Sequence, residues 1–185
     1  MQINPAEFKL LVVDDVQTNV LLLKALLGKE GYGILVANNG QEALEVIRNE
    51  NPDLILLDVM MPGMDGFEVA ERLKSEEFRC EIPIIFLTAL DDTQSIVNGF
   101  KLGVGDFISK PFRKEELMVR IKHQLSLVAA RRIIEEKNEE LRKTIAGRDK
   151  MYSVIAHDLR SPMGSIKMVL NMLILNLPSE KIADE

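Results

Sequence analysis

The sequence is poor in the residues that build disulfides, thiolate metal clusters and membrane spans. One cysteine, Cys80, occurs in 185 residues, so neither an intramolecular disulfide nor a cysteine-rich metal site can form. No apolar run approaches the roughly 18 residues of a membrane-spanning helix, and the first residues lack the basic and apolar order of a secretory signal. These absences predict a cytoplasmic protein with no membrane segment.

Nucleotide-binding loops are also missing. The eleven glycines are scattered and form neither a GxxxxGK[ST] nor a GxGxxG sequence, the loops whose main-chain N–H groups bind phosphates. The chain itself is therefore not expected to bind ATP or to act as a kinase.

The net charge of -6 conceals two segments of opposite sign. Residues 1–112 contain 9 basic and 18 acidic side chains, whereas residues 113–185 contain 14 basic and 11 acidic ones. An acidic segment repels nucleic acid, and the interleaved charges of the second segment form no phosphate-binding stripe. The pattern predicts two segments with different roles and no nucleic-acid partner.

The first segment alternates short apolar runs with amphipathic helical stretches. The predicted strands are 9–13, 33–37, 53–57, 82–87 and 106–108, and the predicted helices are 16–29, 40–49, 67–75 and 93–102. The runs LLVV, LILL and IIFL are apolar without interruption, which is typical of parallel strands covered on both faces. The repeated strand–helix order predicts an α/β fold with a doubly wound, five-stranded parallel sheet.

From residue 113 the pattern becomes helical and continues to about 177. Apolar residues recur at alternating steps of three and four, the heptad pattern of a coiled coil. This apolar stripe consists of Leu127, Ile134, Leu141, Ile145, Tyr152, Ile155, Leu159, Ile166, Val169 and Leu173. Arg131, Asn138 and Arg148 interrupt it with polar side chains, which weaken a coiled coil but can fix its register. The stripe is too long for one small domain to cover, so it predicts a homodimer through the long helix.

Five functional side chains follow the predicted strands at their carboxyl ends. Asp14 and Asp15 follow the first strand, Asp58 the third, Thr88 the fourth and Lys110 the fifth. Because the carboxyl ends of parallel strands meet at one edge of the sheet, we expect these side chains to converge. Clustered carboxylates need a hard divalent cation to offset their charge, so the set predicts a Mg²⁺ or Mn²⁺ site. Asp58 is then a candidate nucleophile toward phosphorus.

The segments around these residues resemble a known family. LVVDD, LLDVMMPGMDG, IIFLTA and DFISKPF occur in the order of the signature segments of the response-regulator receiver domain, and the resemblance covers residues 7–125. It implies a flavodoxin-like fold in which Asp58 is phosphorylated. It also implies that Asp15 binds the metal directly, that Asp14 does so through water, and that the main-chain carbonyl of Met60 is a further ligand.

The resemblance assigns three more roles. Thr88 and Lys110 would contact the phosphoryl oxygens, with Thr88 moving inward on phosphorylation. Phe107 would be the aromatic switch whose rotamer follows Thr88. The Lys110–Pro111 bond is expected to be cis, which aims Lys110 into the site. Asp65, by contrast, is expected to be a turn former or helix cap.

A second candidate site lies in the long helix at His157. With the apolar stripe on one side of the helix, His157 projects from the other, where a neutral imidazole can attack phosphorus and Asp158 can accept its proton. The string AHDLRSPMGSIKMVLNML resembles the H-box of the dimerisation and histidine-phosphotransfer domain of sensor histidine kinases, over residues 149–177. The resemblance implies that His157 is phosphorylated and that Asp158 is its acid/base partner. Ser161 stands where that family often has Thr or Asn, which leaves a phosphatase activity open.

The two resemblances divide the chain into four predicted parts: a receiver domain (1–125), a coiled-coil signalling helix (126–150), the first helix of the histidine-kinase domain (151–177) and the start of an inter-helix loop (178–185). The second helix and the ATP-binding domain of that family do not occur in the sequence. The chain is therefore expected to be part of a longer histidine kinase with an N-terminal receiver, in which ATP binds only to the missing domain.

The leading hypothesis is that phosphorylation of Asp58 regulates a histidine-kinase core whose phosphoacceptor is His157, with a cognate histidine kinase or response regulator as partner. One alternative is a relay that exchanges phosphate between Asp58 and His157. Transfer within one chain is disfavoured, because His157 lies about 45 residues beyond the receiver edge, roughly 65 Å along a straight helix. The other alternative is a response regulator whose output is dimerisation only.

Overall fold

The structure, a computed structural model, describes residues 3–75, 81–89 and 105–175. The chain divides into two compact units, Met1–Arg132 and Ile133–Glu185. The predicted helix 93–102, Cys80 and the predicted loop 178–185 lie outside the described residues.

The first unit is built on a five-stranded sheet. Its strands are β1 (Lys9–Val13), β2 (Gly33–Ala37), β3 (Leu54–Asp58), β4 (Ile84–Thr88) and β5 (Asp106–Ser109). All neighbours pair in parallel, in the order β2-β1-β3-β4-β5. The predicted parallel sheet is therefore confirmed.

Two strands begin later than predicted, each for a local reason. Pro83 has no N–H to donate to a ladder, and β4 begins after it, while the Pro83 carbonyl accepts a hydrogen bond from the Ile55 N–H at 3.0 Å. β3 begins after Asp53. At this position the Asp53 side chain, rather than a strand main chain, accepts a hydrogen bond from the Lys9 N–H of β1, at 2.7 Å.

Helices follow the first three strands and β5, and they cover both faces of the sheet. A short 3-10 helix (Pro5–Glu7) precedes β1, and α1 (Gln17–Lys29), α2 (Gly40–Glu50) and α3 (Gly66–Lys74) follow the first three strands. The long helix (Lys114–Leu175) follows β5. Asp65 begins α3 in a capping box, accepting from the Glu68 N–H at 2.8 Å, as expected of a helix cap.

The apolar side chains form one core on each face of the sheet. On one face, α2 and α3 bury Ala43, Leu44, Ile47, Val69, Ala70 and Leu73. On the other face, α1 and the first turns of the long helix bury Leu23, Leu27, Leu117, Met118, Ile121 and Leu125. β3 and β4 lie fully buried between the two layers, and β1 is buried except at Lys9, which explains the uninterrupted apolar sequences of these three strands.

Arg132 ties the last residues of the first unit to the amino-terminal edge of the sheet. Its guanidinium forms an ion pair with Asp53 and lies 5.6 Å from the ring centre of Phe8. The neighbouring Arg131, predicted only as an interruption of the apolar stripe, is paired with Glu81.

The described part of the second unit, residues 133–175, is helical throughout. The helix continues through Gly147 and Pro162 without interruption. The described stripe residues in this unit are largely exposed, from 41% for Ile145 to 60% for Ile134 and Ile166. Among the helices of the described residues, none combines the length and apolar composition that crossing a bilayer requires.

Candidate functional site

The carboxyl ends of the strands bring the predicted acidic and basic side chains together. Asp14 and Asp15 follow β1, Asp58 ends β3, and Lys110 follows β5. Nζ of Lys110 lies 2.8 Å from Oδ2 of Asp14 and 2.8 Å from Oδ2 of Asp58. One ammonium group therefore bridges two carboxylates from different strands.

The main chain places Lys110 at this edge. Its N–H donates to the Thr88 carbonyl at 2.7 Å, which ties the end of β5 to the end of β4. The Lys110–Pro111 peptide bond is cis, as expected. Thr88 itself is only 4% exposed and ends β4 beside this lysine.

Burial and the ion pairs with Lys110 act in opposite directions on the pKa values of Asp58 and Lys110. Desolvation raises the pKa of Asp58, with the nearby Asp14 carboxylate adding to the effect and the hydrogen bond from Lys110 opposing it. Desolvation would lower the pKa of Lys110, but its hydrogen bonds to Asp14 and Asp58 outweigh burial, so its pKa is raised. Lys110 is therefore charged, and ionising Asp58 is costly unless further positive charge is present.

The carboxylates form a donor set that fits a hard divalent cation. Asp14, Asp15 and Asp58 each offer an oxygen, and these oxygens lie within 4.8 Å of one another. Three clustered carboxylate oxygens, of which only that of Asp15 is partly exposed, suit Mg²⁺ or Mn²⁺ better than a soft metal. The Met60 N–H donates to Oδ1 of Asp58 at 3.3 Å, so the Met60 main chain adjoins the same group.

Gly66 fixes the turn that follows Asp58. Its N–H donates to the Val59 carbonyl at 3.0 Å. A Cβ at this position would lie 2.4 Å from the Asp58 carbonyl oxygen and 2.8 Å from Cα of Val59. Only glycine allows α3 to begin this close to the end of β3.

Phe107 lies beside the site in a row of aromatic rings. Its ring centre is 5.3 Å from that of Phe86, which is 5.1 Å from that of Phe67. Phe107 is partly buried, whereas Phe86 is completely buried. The predicted switch residue thus lies at one of the two partly exposed ends of this row, Phe67 being at the other.

The second candidate site belongs to the second unit. The His157 side chain is 84% exposed, and its Nδ1 lies 3.4 Å from Oδ1 of Asp158. The side chain of Ser161 lies outside the described residues. The predicted histidine–aspartate pair is therefore adjacent and open to solvent.

Sequence reasoning missed Asn19. This residue of α1 donates from Nδ2 to both carboxylate oxygens of Asp14, at 3.0 Å each. The sequence does contain an asparagine about one turn after the paired aspartates, which could have indicated a contact with them. An asparagine near the start of a helix is, however, ordinarily explained as a capping residue.

A parallel sheet with acidic residues and a lysine at its carboxyl edge defines the class of protein. Residues 10–122 match the family of the response regulator receiver domain. The chain belongs to this family, whose members function in two-component signalling and are phosphorylated on aspartate. The match ends at residue 122 and does not reach His157.

Curated relatives agree with this assignment. The response regulator PleD of Caulobacter vibrioides is 41% identical over 128 residues, which cover 69% of this chain and 28% of PleD. The alkaline phosphatase synthesis transcriptional regulatory protein PhoP of Bacillus subtilis is 42% identical over 135 residues, which cover 72% of this chain and 55% of PhoP. The chain therefore spans about a quarter to a half of the length of these relatives.

Solved structures share the fold. The receiver domain of the Francisella response regulator 1452 has a TM-score of 0.60 at 34% identity, covering 64% of this chain and 97% of that domain. The receiver domain of a signal transduction histidine kinase from Syntrophus aciditrophicus has a TM-score of 0.59 at 38% identity, covering 64% of this chain and 90% of that one.

Proposed function

We propose that Asp58 is the aspartate on which this receiver domain is phosphorylated. The observation that carries the proposal is the ammonium group of Lys110, 2.8 Å from Asp58 and 2.8 Å from Asp14. Asp58 lies at the end of the central strand, β3. Its carboxylate is next to the ammonium group of Lys110, whose positive charge would stabilise a negatively charged phosphoryl group.

The proposed step is displacement at phosphorus. A carboxylate oxygen of Asp58 attacks the phosphorus of a phosphodonor such as an acyl phosphate or a phosphohistidine. A new P–O bond forms, the bond from phosphorus to the donor breaks, and the donor leaves with the electron pair. Lys110, charged because its pKa is raised, stays within reach of the phosphoryl oxygens. A divalent cation bound directly by Asp15, Asp58 and the Met60 carbonyl, with Asp14 interacting through water, would offset the charge of the carboxylates and of the phosphoryl group.

Thr88 and Phe107 would report the phosphorylated state. Thr88 ends β4 next to Lys110 and would hydrogen-bond a phosphoryl oxygen. The Phe107 ring packs against Phe86, with 5.3 Å between the ring centres, and Phe107 is only partly buried. A shift of Thr88 toward the phosphoryl group would allow the Phe107 ring to follow.

Intact mass spectrometry after incubation with acetyl phosphate and Mg²⁺ tests this assignment. Wild type and His157→Ala should each gain one phosphoryl group, and Asp58→Asn should gain none. Asp65→Asn is the matched control, because Asp65 caps α3 and lies in the same connection. An adduct on Asp58→Asn would exclude Asp58 as the acceptor.

We further propose that the receiver regulates a histidine-kinase core whose phosphoacceptor is His157. Support comes from the 84% exposed imidazole beside Asp158 and from the exposed apolar stripe, which a second copy of the long helix would cover. The Syntrophus receiver domain, which belongs to a signal transduction histidine kinase, shows that such domains occur in these proteins. The segments 126–150 and 151–177 would then be a coiled-coil signalling helix and the first helix of the kinase dimerisation domain.

Phosphorylation by a histidine-kinase ATP-binding domain added in trans tests the second proposal. His157→Ala should lose the acid-labile, ATP-derived phosphate, while His123→Ala, the variant of the other of the two histidines, should keep it. Equal labelling of the two variants would contradict the role of His157. A phosphoryl mimic bound at Asp58 should change the rate at which His157 is phosphorylated. An unchanged rate would contradict regulation of the core by the receiver.

A further inference from the structure

Asp14 is surrounded by hydrogen-bond donors. Nδ2 of Asn19 donates to Oδ1 and to Oδ2 at 3.0 Å each. The Val16 N–H donates to Oδ1 at 2.9 Å, and Nζ of Lys110 donates to Oδ2 at 2.8 Å. Asp14 is completely buried, so these contacts replace the water that a carboxylate would otherwise bind.

The contacts distinguish Asp14 from the other carboxylates of the cluster. A carboxylate has about four lone-pair sites, and four contacts from three residues of this chain occupy those of Asp14. Asp58 accepts one close hydrogen bond, from Lys110 at 2.8 Å, and a longer one from the Met60 N–H at 3.3 Å. Asp15 is partly exposed. Asp15 and Asp58 therefore keep acceptor capacity for a cation, while Asp14 is committed to holding Lys110.

We propose that Asn19 is a positioning residue for phosphorylation. By donating to both oxygens, it fixes the plane of the Asp14 carboxylate, and Asp14 in turn holds Lys110 beside Asp58. The inference rests on the proposed role of Asp58 and adds a residue to it. Without Asn19, the Val16 N–H and Lys110 alone hold the Asp14 carboxylate. Its orientation is then less well fixed, and Lys110 is less precisely held between Asp14 and Asp58.

The variant Asn19→Ala removes the two hydrogen bonds and suits the first turn of α1, because alanine favours helix. At saturating Mg²⁺, the rate constant for phosphorylation by acetyl phosphate should fall about tenfold, the loss expected for hydrogen bonds to a charged group. The dissociation constant for Mg²⁺, measured calorimetrically without phosphodonor, should stay within a factor of about three. The reason is that Asn19 supports Asp14, which holds Lys110 and does not bind the cation directly. A loss of about ten- to a hundredfold in Mg²⁺ affinity is typical of a residue that supports a metal ligand, and would overturn the proposal.

Two further variants separate hydrogen bonding from packing. Asn19→Asp has the same size but cannot donate when ionised, so its rate should be at least as low as that of Asn19→Ala. A wild-type rate in Asn19→Asp would show that only volume matters and would overturn the proposal. Asn49→Ala, the same change at an exposed position of α2, is the control and should keep the wild-type rate.

The same experiment separates failure of this inference from failure of the proposed function. If wild type gains no phosphoryl group on Asp58, the function proposed for the site is wrong. If wild type is phosphorylated on Asp58 and Asn19→Ala reacts at the same rate, the function stands and the role of Asn19 is wrong.

Discussion

Tyr32 buries a hydroxyl group for which the described residues offer no hydrogen-bond partner. The residue is 5% exposed and lies in the core covered by α1. A buried polar group without a partner costs about 1–3 kcal/mol. We expect Tyr32→Phe to raise the free energy of unfolding by about 1 kcal/mol, measured by urea denaturation at neutral pH. Tyr152→Phe, at the other tyrosine, which is 57% exposed, should leave it unchanged.

The pH dependence of this effect has a definite sign. Burial, and then the Glu30 carboxylate, raises the pKa of Tyr32 above the ordinary value of 10.0. Because the neutral form is favoured in the folded state, the contribution of Tyr32 to stability is complete below pH 10.0 and is lost as the pH rises through the folded pKa. The advantage of Tyr32→Phe over wild type should therefore widen above pH 10.0. An advantage that shrinks there would contradict the burial of this hydroxyl.

Gly66 couples the stability of the fold to the position of Asp58. In Gly66→Ala, the new Cβ would lie 2.4 Å from the Asp58 carbonyl oxygen, so the end of β3 or the start of α3 must move. We expect a loss of about 1–3 kcal/mol in the free energy of unfolding, as for other overpacked sites. Gly28→Ala is the control, because its Cβ would meet no atom within 4 Å and alanine favours α1. Equal stability of the two variants would show that the turn accommodates a side chain.

The central site residues could be predicted from sequence because position on the strands determines them. Asp14, Asp58 and Lys110 each end or follow an apolar strand, and parallel pairing carries the ends of strands to one edge. Asn19 and Asp53 could not be predicted in the same way. Their roles depend on which carboxylate or main-chain group the folded chain brings within 3.0 Å, and no periodicity in the sequence encodes that distance.

At the scale of elements, each predicted strand or helix that lies in the described residues begins and ends within two residues of its predicted bounds. Apolar runs and turn residues determine which elements form, whereas their ends depend on single hydrogen bonds. β4 starts after Pro83 because proline lacks an N–H, and β3 starts after Asp53, whose side chain accepts from the main chain of β1. The periodicity of the sequence does not report these contacts.

The ion pair between Asp53 and Arg132 fixes the long helix to the amino-terminal edge of the sheet. The Asp53 side chain is 8% exposed and also accepts from the Lys9 N–H, whereas the Arg132 side chain is 50% exposed. We expect Asp53→Ala to cost about 1–3 kcal/mol of unfolding free energy, since it leaves a main-chain donor unpaired. Arg132→Ala should cost less, about 1 kcal/mol, because solvent already screens the guanidinium.

Chemical denaturation of both variants checks this order. Lys137→Ala is the control, since its ion pair with Glu140 is exposed and should contribute about 0–0.5 kcal/mol. A larger loss for Arg132→Ala than for Asp53→Ala would mean that the contact with Phe8, rather than the buried carboxylate, stabilises this attachment.

At the scale of the whole molecule, the exposed apolar stripe predicts self-association. Ile134, Leu141 and Ile145 are 60%, 56% and 41% exposed on the same helix. Contiguous exposed apolar side chains mark interaction surfaces, and heptad spacing favours a second helix of the same kind. Leu141→Glu should shift the chain toward the monomer in sedimentation equilibrium, while Lys143→Glu, outside the stripe, should remain dimeric. A monomeric wild type would contradict the predicted homodimer.

Mapping the position of the phosphoryl group tests most directly whether it is attached to Asp58. Borohydride reduces an aspartyl phosphate to homoserine, which peptide mass spectrometry locates in the sequence. After treatment with acetyl phosphate and Mg²⁺, we predict homoserine at position 58 and unchanged aspartate at Asp14, Asp15 and Asp65. Homoserine at any of those three positions, or none at 58 in a phosphorylated sample, would contradict the account.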